Sequence, residues 1–488
     1  MTNRSPSSAG RLTFRVVNNS AAVMGGQLIY KIIGFFTGVL IIRGLSGEAY
    51  GQYSFIYVYL SFFDVFVQFG FNAILVRQIS QDPAQAPRIL GNAVLFRVLL
   101  AAVTLPAACF LIRHLGYPLS VQQGVLLASL QLFLTLRTIY ETIFRIHLKM
   151  VYSSLWLVAK GLLQFALVAV IAVWKPSLMS FILAALIAGY AALAGFAWHA
   201  GQFVRMDFKP DFSLMKKLAG DSFPLLLSGY LTLIYYRIDV FMLSKMTSFT
   251  EVGYYSVAVR LTESLDMLSS ALLVSLFPIL SRTFKENRAD FDRTIKKAFR
   301  ILLLTSMPMV AGGSVVAREL IVFLFGAKYL PAASTFSLLL WYTLFCYVGG
   351  LLANVLIACG RQKIDAWVSF ILVCLNIGLN SVLISRIGFN GAAVATVIVE
   401  MCGVLLIAAY AARDKEIRLP LPWNDFLKIL ILNLAFWGIL VVLKNAVLPV
   451  AAFIPLGVLI YAVLAVLAGF IKPAAIAQYL THWRGQPK

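Results

Sequence analysis

Apolar runs separated by short polar connectors repeat from one end of this chain to the other. A hydrocarbon layer about 30 Å thick is crossed by roughly 20 helical residues. Runs of that length lie near residues 21–42, 53–72, 91–112, 121–144, 154–174 and 177–199. The polar, basic stretch GQFVRMDFKPDFSLMKKLAGD follows them. A second series runs near 222–245, 254–280, 299–325, 332–358, 364–386 and 388–411. Beyond RDKEIRLPLPWND come two more, near 426–443 and 447–471. The pattern predicts an all-α integral membrane protein with about fourteen transmembrane helices.

The two series of six resemble each other. GQYSFIYVYLSFFDVF from residue 51 aligns with GYYSVAVRLTESLDML from residue 253, pairing Gly51 with Gly253 and Tyr53 with Tyr255. Ser54 then meets Ser256, Asp64 meets Asp266, and upstream Arg43 meets Lys245. A constant offset suggests a duplicated six-helix unit, and six crossings return the chain to its starting side, so the copies run parallel. The expected division is residues 1–210, 211–415, and 416–488 for the last two helices and a tail.

Composition agrees with a membrane solvent. Of 488 residues, 61% are hydrophobic and 12% charged, against about 25% charged in soluble proteins. That leaves no room for a large soluble domain. The net charge of +21 would suit a nucleic-acid binder. The basic residues, however, concentrate in alternate connectors, the richest being SRTFKENRADFDRTIKKAFR. By the positive-inside rule both termini are expected in the cytoplasm, and nucleic acid is not expected as a partner. The five cysteines form no CxxC pair, the four histidines form no HExxH, and no GxxxxGK[ST] loop is present. Disulfide, zinc and direct nucleotide chemistry are therefore not expected, nor is any cofactor. The polar N-terminus, MTNRSPSSAGRLTFRVVNNS, is expected to be a cytoplasmic tail rather than a cleaved leader.

Several charges fall inside the predicted spans, where each costs about 3 kcal/mol on insertion scales. Lys31 shares a helix face with Gln27, Gly34 and Gly38. Asp64, Gln68 and Asn72 recur at i, i+4, i+8, as do Arg137, Glu141 and Arg145. Arg237 and Asp239 point nearly opposite ways, while Arg260, Glu263 and Asp266 spread over about 120° of helix surface. Glu400 sits in the twelfth span.

Three segments carry a resemblance to a known family: YRIDVFMLSKMTSFTEVGYYSVAVRL, ELIVFLFGAKYLPAASTFSLL and LNIGLNSVLISRIGFNGAAVATVIVE. In order and spacing the chain resembles the Wzx-type polysaccharide flippases, whose superfamily also holds multidrug exporters and lipid II flippases. The resemblance implies two six-helix lobes in a V around a central cavity, with helices 13 and 14 appended. It implies a bacterial inner-membrane protein that moves an undecaprenyl-pyrophosphate-linked oligosaccharide from the inner to the outer leaflet by alternating access. The implied partner is that lipid-linked sugar; the charges within the spans add H+ or Na+, and membrane lipids and a polysaccharide polymerase or export complex are further expected partners.

Such a cargo asks for a wet cationic cleft, and arginine suits its diphosphate by donating two parallel hydrogen bonds. Lys31, Arg137, Arg237 and Arg260 are the expected substrate contacts. Asp64, Glu141, Glu263 and Asp266 are the expected ion-coupling or gating groups. Bland roles stand beside these. Arg137 and Glu141 also fit a structural i, i+4 pair. Residues near helix ends, such as Arg145, Lys160, Lys245 and Asp365, fit snorkelling. Tyr53, Tyr57, Tyr59, Tyr230, Tyr235 and Tyr236 fit either sugar stacking or ordinary interfacial placement. Pro224, Pro278 and Pro308 are candidate helix breaks. A drug exporter would have a cavity dominated by acids and aromatics. A polymerase or ligase would need a long outer loop, and the connectors here are short.

Overall fold

The computed structural model describes residues 8–414, 417, 419, 422–444 and 449–470. Sixteen α-helices form among them: α1 (Ser8–Gly44), α2 (Gly47–Gln68), α3 (Phe71–Gln81), α4 (Ala86–His114), α5 (Leu119–Ala128), α6 (Arg137–Ile146), α7 (Val151–Trp174) and α8 (Leu178–Gly201), then α9 (Phe212–Met246), α10 (Phe249–Glu286), α11 (Arg288–Phe325), α12 (Ala332–Ala358), α13 (Gln362–Ile387), α14 (Phe389–Arg413), α15 (Trp423–Lys444) and α16 (Val450–Leu467). Among the described residues, fourteen stretches are long and apolar enough to cross a membrane, as the hydropathy pattern predicts. Among the described residues there is no strand. The last part of the expected tail, residues 471–488, lies outside the described residues, as do residues 1–7.

Two crossings are broken. The second comprises α2 and α3, separated where Phe69 and Gly70 adopt left-handed backbone at φ 53° and 68°. The fourth comprises α5, a 3-10 turn over Ser129–Leu136, and α6. Its hydroxyls explain the tightened turn. Thr135 and Thr138 donate to the carbonyls three residues back, at 2.6 and 3.0 Å, competing with the regular helical ladder.

One expectation needs correction, and two polar segments prove helical. Pro224, Pro278 and Pro308 sit inside continuous helices rather than at breaks, because neighbouring turns and packing can re-satisfy the one bond each removes. The basic connector 281–300 is almost wholly helical, with Asn287 as its hinge, capping α11 through Ala289 N at 2.9 Å. Pairs such as Arg282–Glu286 support the helical turn beside it. The expected polar tail is helical from Ser8 onward.

The chain forms two compact units, Met1–Gly253 and Tyr254–Lys488. In the first, α1 lies on α7, whose Gly161 leaves room for Tyr30 and Ile33. A core of Phe71, Ile74, Ile143, Phe144 and Phe196 joins α3, α6 and α8. Asp211 caps α9 through the Leu214 amide and pairs with Arg88. That amide, and then Arg88, hold its carboxyl below the usual carboxylate range. In the second unit α12 packs between α11 and α14, α13 packs on α14, and α15 and α16 dock on α11 through Phe436, Leu440 and Phe453. Ion pairs pin α15 at both ends, Arg300–Asp425 at 2.5 Å and Lys444–Glu319 at 3.0 Å.

Candidate functional site

Within the first unit, Lys31 is exposed on α1. The face of α1 turned to α7 is set by Gly26, Tyr30 and Ile33 instead. Arg137 opens α6 and pairs with Glu141 one turn on. Its guanidinium carbon lies 5.9 Å from the Phe196 ring centre, and Glu141 also accepts from Ser153 Oγ at 3.2 Å. The sequence spacing thus brings Arg137 and Glu141 together. Arg237, on α9, is half-buried and interacts with a neighbouring group. Asp64, on α2, has its Oδ1 buried without a hydrogen-bond partner. A carboxylate oxygen so placed is a costly feature in an apolar setting.

Within the second unit, Arg260 is half-buried on α10 and also engages a neighbour. Glu263 is exposed, while Asp266 again has a buried, unbonded Oδ1. The carboxylates of Glu263 and Glu400 lie close enough to act electrostatically on Asp266, which Tyr342 and Thr343 of α12 approach. Gly349 lies in the same region, where a Cβ would make ordinary contact with Glu400 Oε2 at 3.9 Å. The repeat-matched pair Asp64 and Asp266 therefore share one condition. Each holds a carboxylate oxygen inside a membrane span with no hydrogen-bond donor on it.

Several tyrosines have structural work. Tyr59 donates to the Ala108 carbonyl at 2.7 Å and Tyr230 to the Phe62 carbonyl at 2.8 Å. Tyr53 and Tyr57 pack ring to ring at 4.8 Å, and Tyr236 is exposed.

Arg97, in the middle of α4, is not among the candidates that the sequence pattern marks. It has no accessible surface. Its guanidinium donates to Thr135 O at 2.8 Å, Thr138 Oγ1 at 2.5 Å and Gln68 O at 3.1 Å. It thereby serves carbonyls at both helix breaks. The available signal was a lone arginine within the apolar run AVLFRVLLAAV. Glu400, on α14, meets groups from α10 and α12 that lie far from it along the chain.

Comparison with known proteins defines the class. The fold resembles "Lipid II flippase MurJ, inward closed conformation" with a TM-score of 0.75 at 16% identity, over 91% of this chain and 97% of that one. It also resembles an inward-facing multidrug resistance MATE family transporter of the MOP superfamily, with a TM-score of 0.65 at 14% identity, over 78% of this chain and 93% of that one. The family model described as "Polysaccharide biosynthesis protein" matches residues 16–284, more than half of the chain, and the MatE model matches residues 224–382. The chain belongs to the polysaccharide biosynthesis protein family. Among curated proteins it is similar to the "Probable low-salt glycan biosynthesis flippase Agl15" of Haloferax volcanii, 24% identical over 59% of this chain. That match spans 62% of the relative's length, less than two thirds.

Proposed function

We propose that this protein is a flippase for lipid-linked oligosaccharides. It carries an undecaprenyl-pyrophosphate-linked repeat unit from the cytoplasmic to the outer leaflet by alternating access. The observation that carries this is the family match over more than half of the chain, in helices that hold cations inside the membrane. The flippases named among its relatives and structural neighbours support it.

The polyprenyl tail stays in lipid while the charged head needs protein. Lys31, Arg137, Arg237 and Arg260 offer the diphosphate a replacement for water. Arg137 is held by Glu141 and presents its remaining donors. Asp64 and Asp266, each with an unbonded carboxylate oxygen, take up H+ or Na+. Glu263 beside Asp266, and Glu141 beside Arg137, complete the coupling set. Proton or sodium binding that differs between the two access states supplies the bias that a transport cycle requires. The two repeats act as the N- and C-lobes, with the termini in the cytoplasm as the basic connectors indicate.

A binding measurement tests the cargo. Purified protein is expected to bind undecaprenyl-pyrophosphate oligosaccharide, and Arg237→Ala with Arg260→Ala to weaken it at least tenfold. Hydrogen bonds to a charged phosphate contribute about 1.5–3 kcal/mol each. Equal binding by the folded double variant would remove these arginines from the substrate site. The MatE match favours a second reading, export of cationic drugs. It predicts binding of a cationic dye in competition with neither lipid nor sugar.

A further inference from the structure

One concavity in the first unit is not used by this mechanism. It has a volume of about 350 Å³ and lies where α3, α6 and α8 end. Its wall is apolar, with Ile79, Pro83, Leu90, Ile143 and Phe203, and it carries two basic side chains, His147 and Arg205. Arg145 and Lys149 flank His147 in the chain, and all four basic residues are exposed. Leu148 between them takes left-handed backbone at φ 53°, an uncommon conformation for a branched residue. That turn follows directly on His147, whose Nδ1 lies 2.9 Å from the Ile143 carbonyl.

None of these four basic groups makes an ion pair among the described residues, whereas the nearby Arg77 and Arg88 are paired with Asp221 and Asp211. Two carboxylates belong to the same loops. Asp82 accepts from Ala84 N and Gln85 Nε2, and Asp207 accepts from Lys209 N. Neither lines the concavity. Positive charge beside an apolar wall, at the ends of membrane-crossing helices, matches an anionic headgroup joined to an acyl chain. Basic pockets between helices on the cytoplasmic side recognise such lipids.

We propose that this concavity binds the headgroup of an anionic phospholipid. The phosphate sits between Arg205 and His147, Arg145 and Lys149 add attraction, and the first acyl carbons lie on Ile79, Leu90 and Ile143. The site is separate from the charged groups assigned to transport, so it stands or falls independently of the cargo.

The test uses delipidated full-length protein titrated with dioctanoyl phosphatidylglycerol, dioctanoyl phosphatidylcholine and inorganic phosphate. Saturable binding is expected for phosphatidylglycerol alone. Removing a cation weakens it about fivefold, the equivalent of ~1 kcal/mol per basic residue near an anionic surface. The double variant His147→Gln, Arg205→Gln should show that loss twice over, and Arg205→Lys should restore most of the second part. Arg386→Gln, an exposed cation on α13, should leave binding unchanged. Equal binding by the double variant, or of phosphatidylcholine alongside phosphatidylglycerol, overturns the proposal. Phosphate binding with the same dependence on Arg205 also overturns it, in favour of a free-anion site.

Discussion

Arg97→Leu is expected to cost about 3–5 kcal/mol of stability, enough to prevent accumulation of the folded protein in the membrane. Arg97 is wholly buried and its acceptors are carbonyls that regular helices would have satisfied themselves. Leucine fills much of the space but donates nothing, so Gln68 O and Thr138 Oγ1 lose the guanidinium and Thr135 O keeps only the Thr138 hydroxyl. Each buried polar group left unsatisfied costs about 1–3 kcal/mol, and apolar surroundings offer no water as a substitute. Arg97→Lys should be intermediate, since one ammonium cannot serve two separated helix breaks as a planar fork does. Detergent-extracted yield and thermal unfolding of the two variants check this. A leucine variant as stable as the parent would mean that the breaks hold without Arg97.

Gly51→Val is expected to abolish transport and to lower stability by about 1–3 kcal/mol, the usual range for overpacking. A Cβ on Gly51 would overlap the Phe249 carbonyl oxygen and lie 2.9 Å from the Gly253 nitrogen. On Gly253 it would overlap the Gly47 oxygen and lie 3.3 Å from the Gly51 nitrogen. Backbones this close require small residues at both positions. Gly438 of α15 has nothing within 4 Å of such a Cβ. Gly438→Ala should therefore gain up to about 1 kcal/mol from helix propensity alone. Opposite signs at the two glycines, read by thermal unfolding, would separate close packing from a general effect of added methyl groups.

Those two predictions mark what the sequence could and could not convey. Fourteen crossings were legible because bilayer thickness fixes how long an apolar run must be. The alignment of Gly51 with Gly253 was legible too, in the matching stretches around them. That the equivalent glycines touch was not, because alignment says nothing of contact. The break after Gln68 was missed because apolar residues continue through Phe69, Phe71 and Ile74, leaving Gly70 as the one local cue. Arg97 was missed for the same reason. A buried arginine makes sense only once the freed carbonyls are known, and they belong to α2 and the Ser129–Leu136 turn. The helical connector around Asn287 carries no apolar run to mark it. Helices continue past the bilayer on ion pairs and caps, which carry no hydropathy signal.

Among the candidate residues, the Arg137–Glu141 pair was readable from its i, i+4 spacing. The acidic grouping of Glu263, Asp266 and Glu400 was only half readable, since Glu400 arrives from α14. The matched aspartates were readable as a pair, but not that each buries one carboxylate oxygen, Oδ1, without a hydrogen-bond donor.

The most direct measurement is flipping itself, in vesicles containing only this protein and labelled undecaprenyl-pyrophosphate oligosaccharide. Lipid should cross to the protected leaflet, faster under an imposed proton or sodium gradient. Asp64→Asn and Asp266→Asn should keep cargo binding but lose the response to the gradient. If well-folded, well-incorporated protein moves no lipid-linked oligosaccharide, gradient or not, the proposed function is wrong.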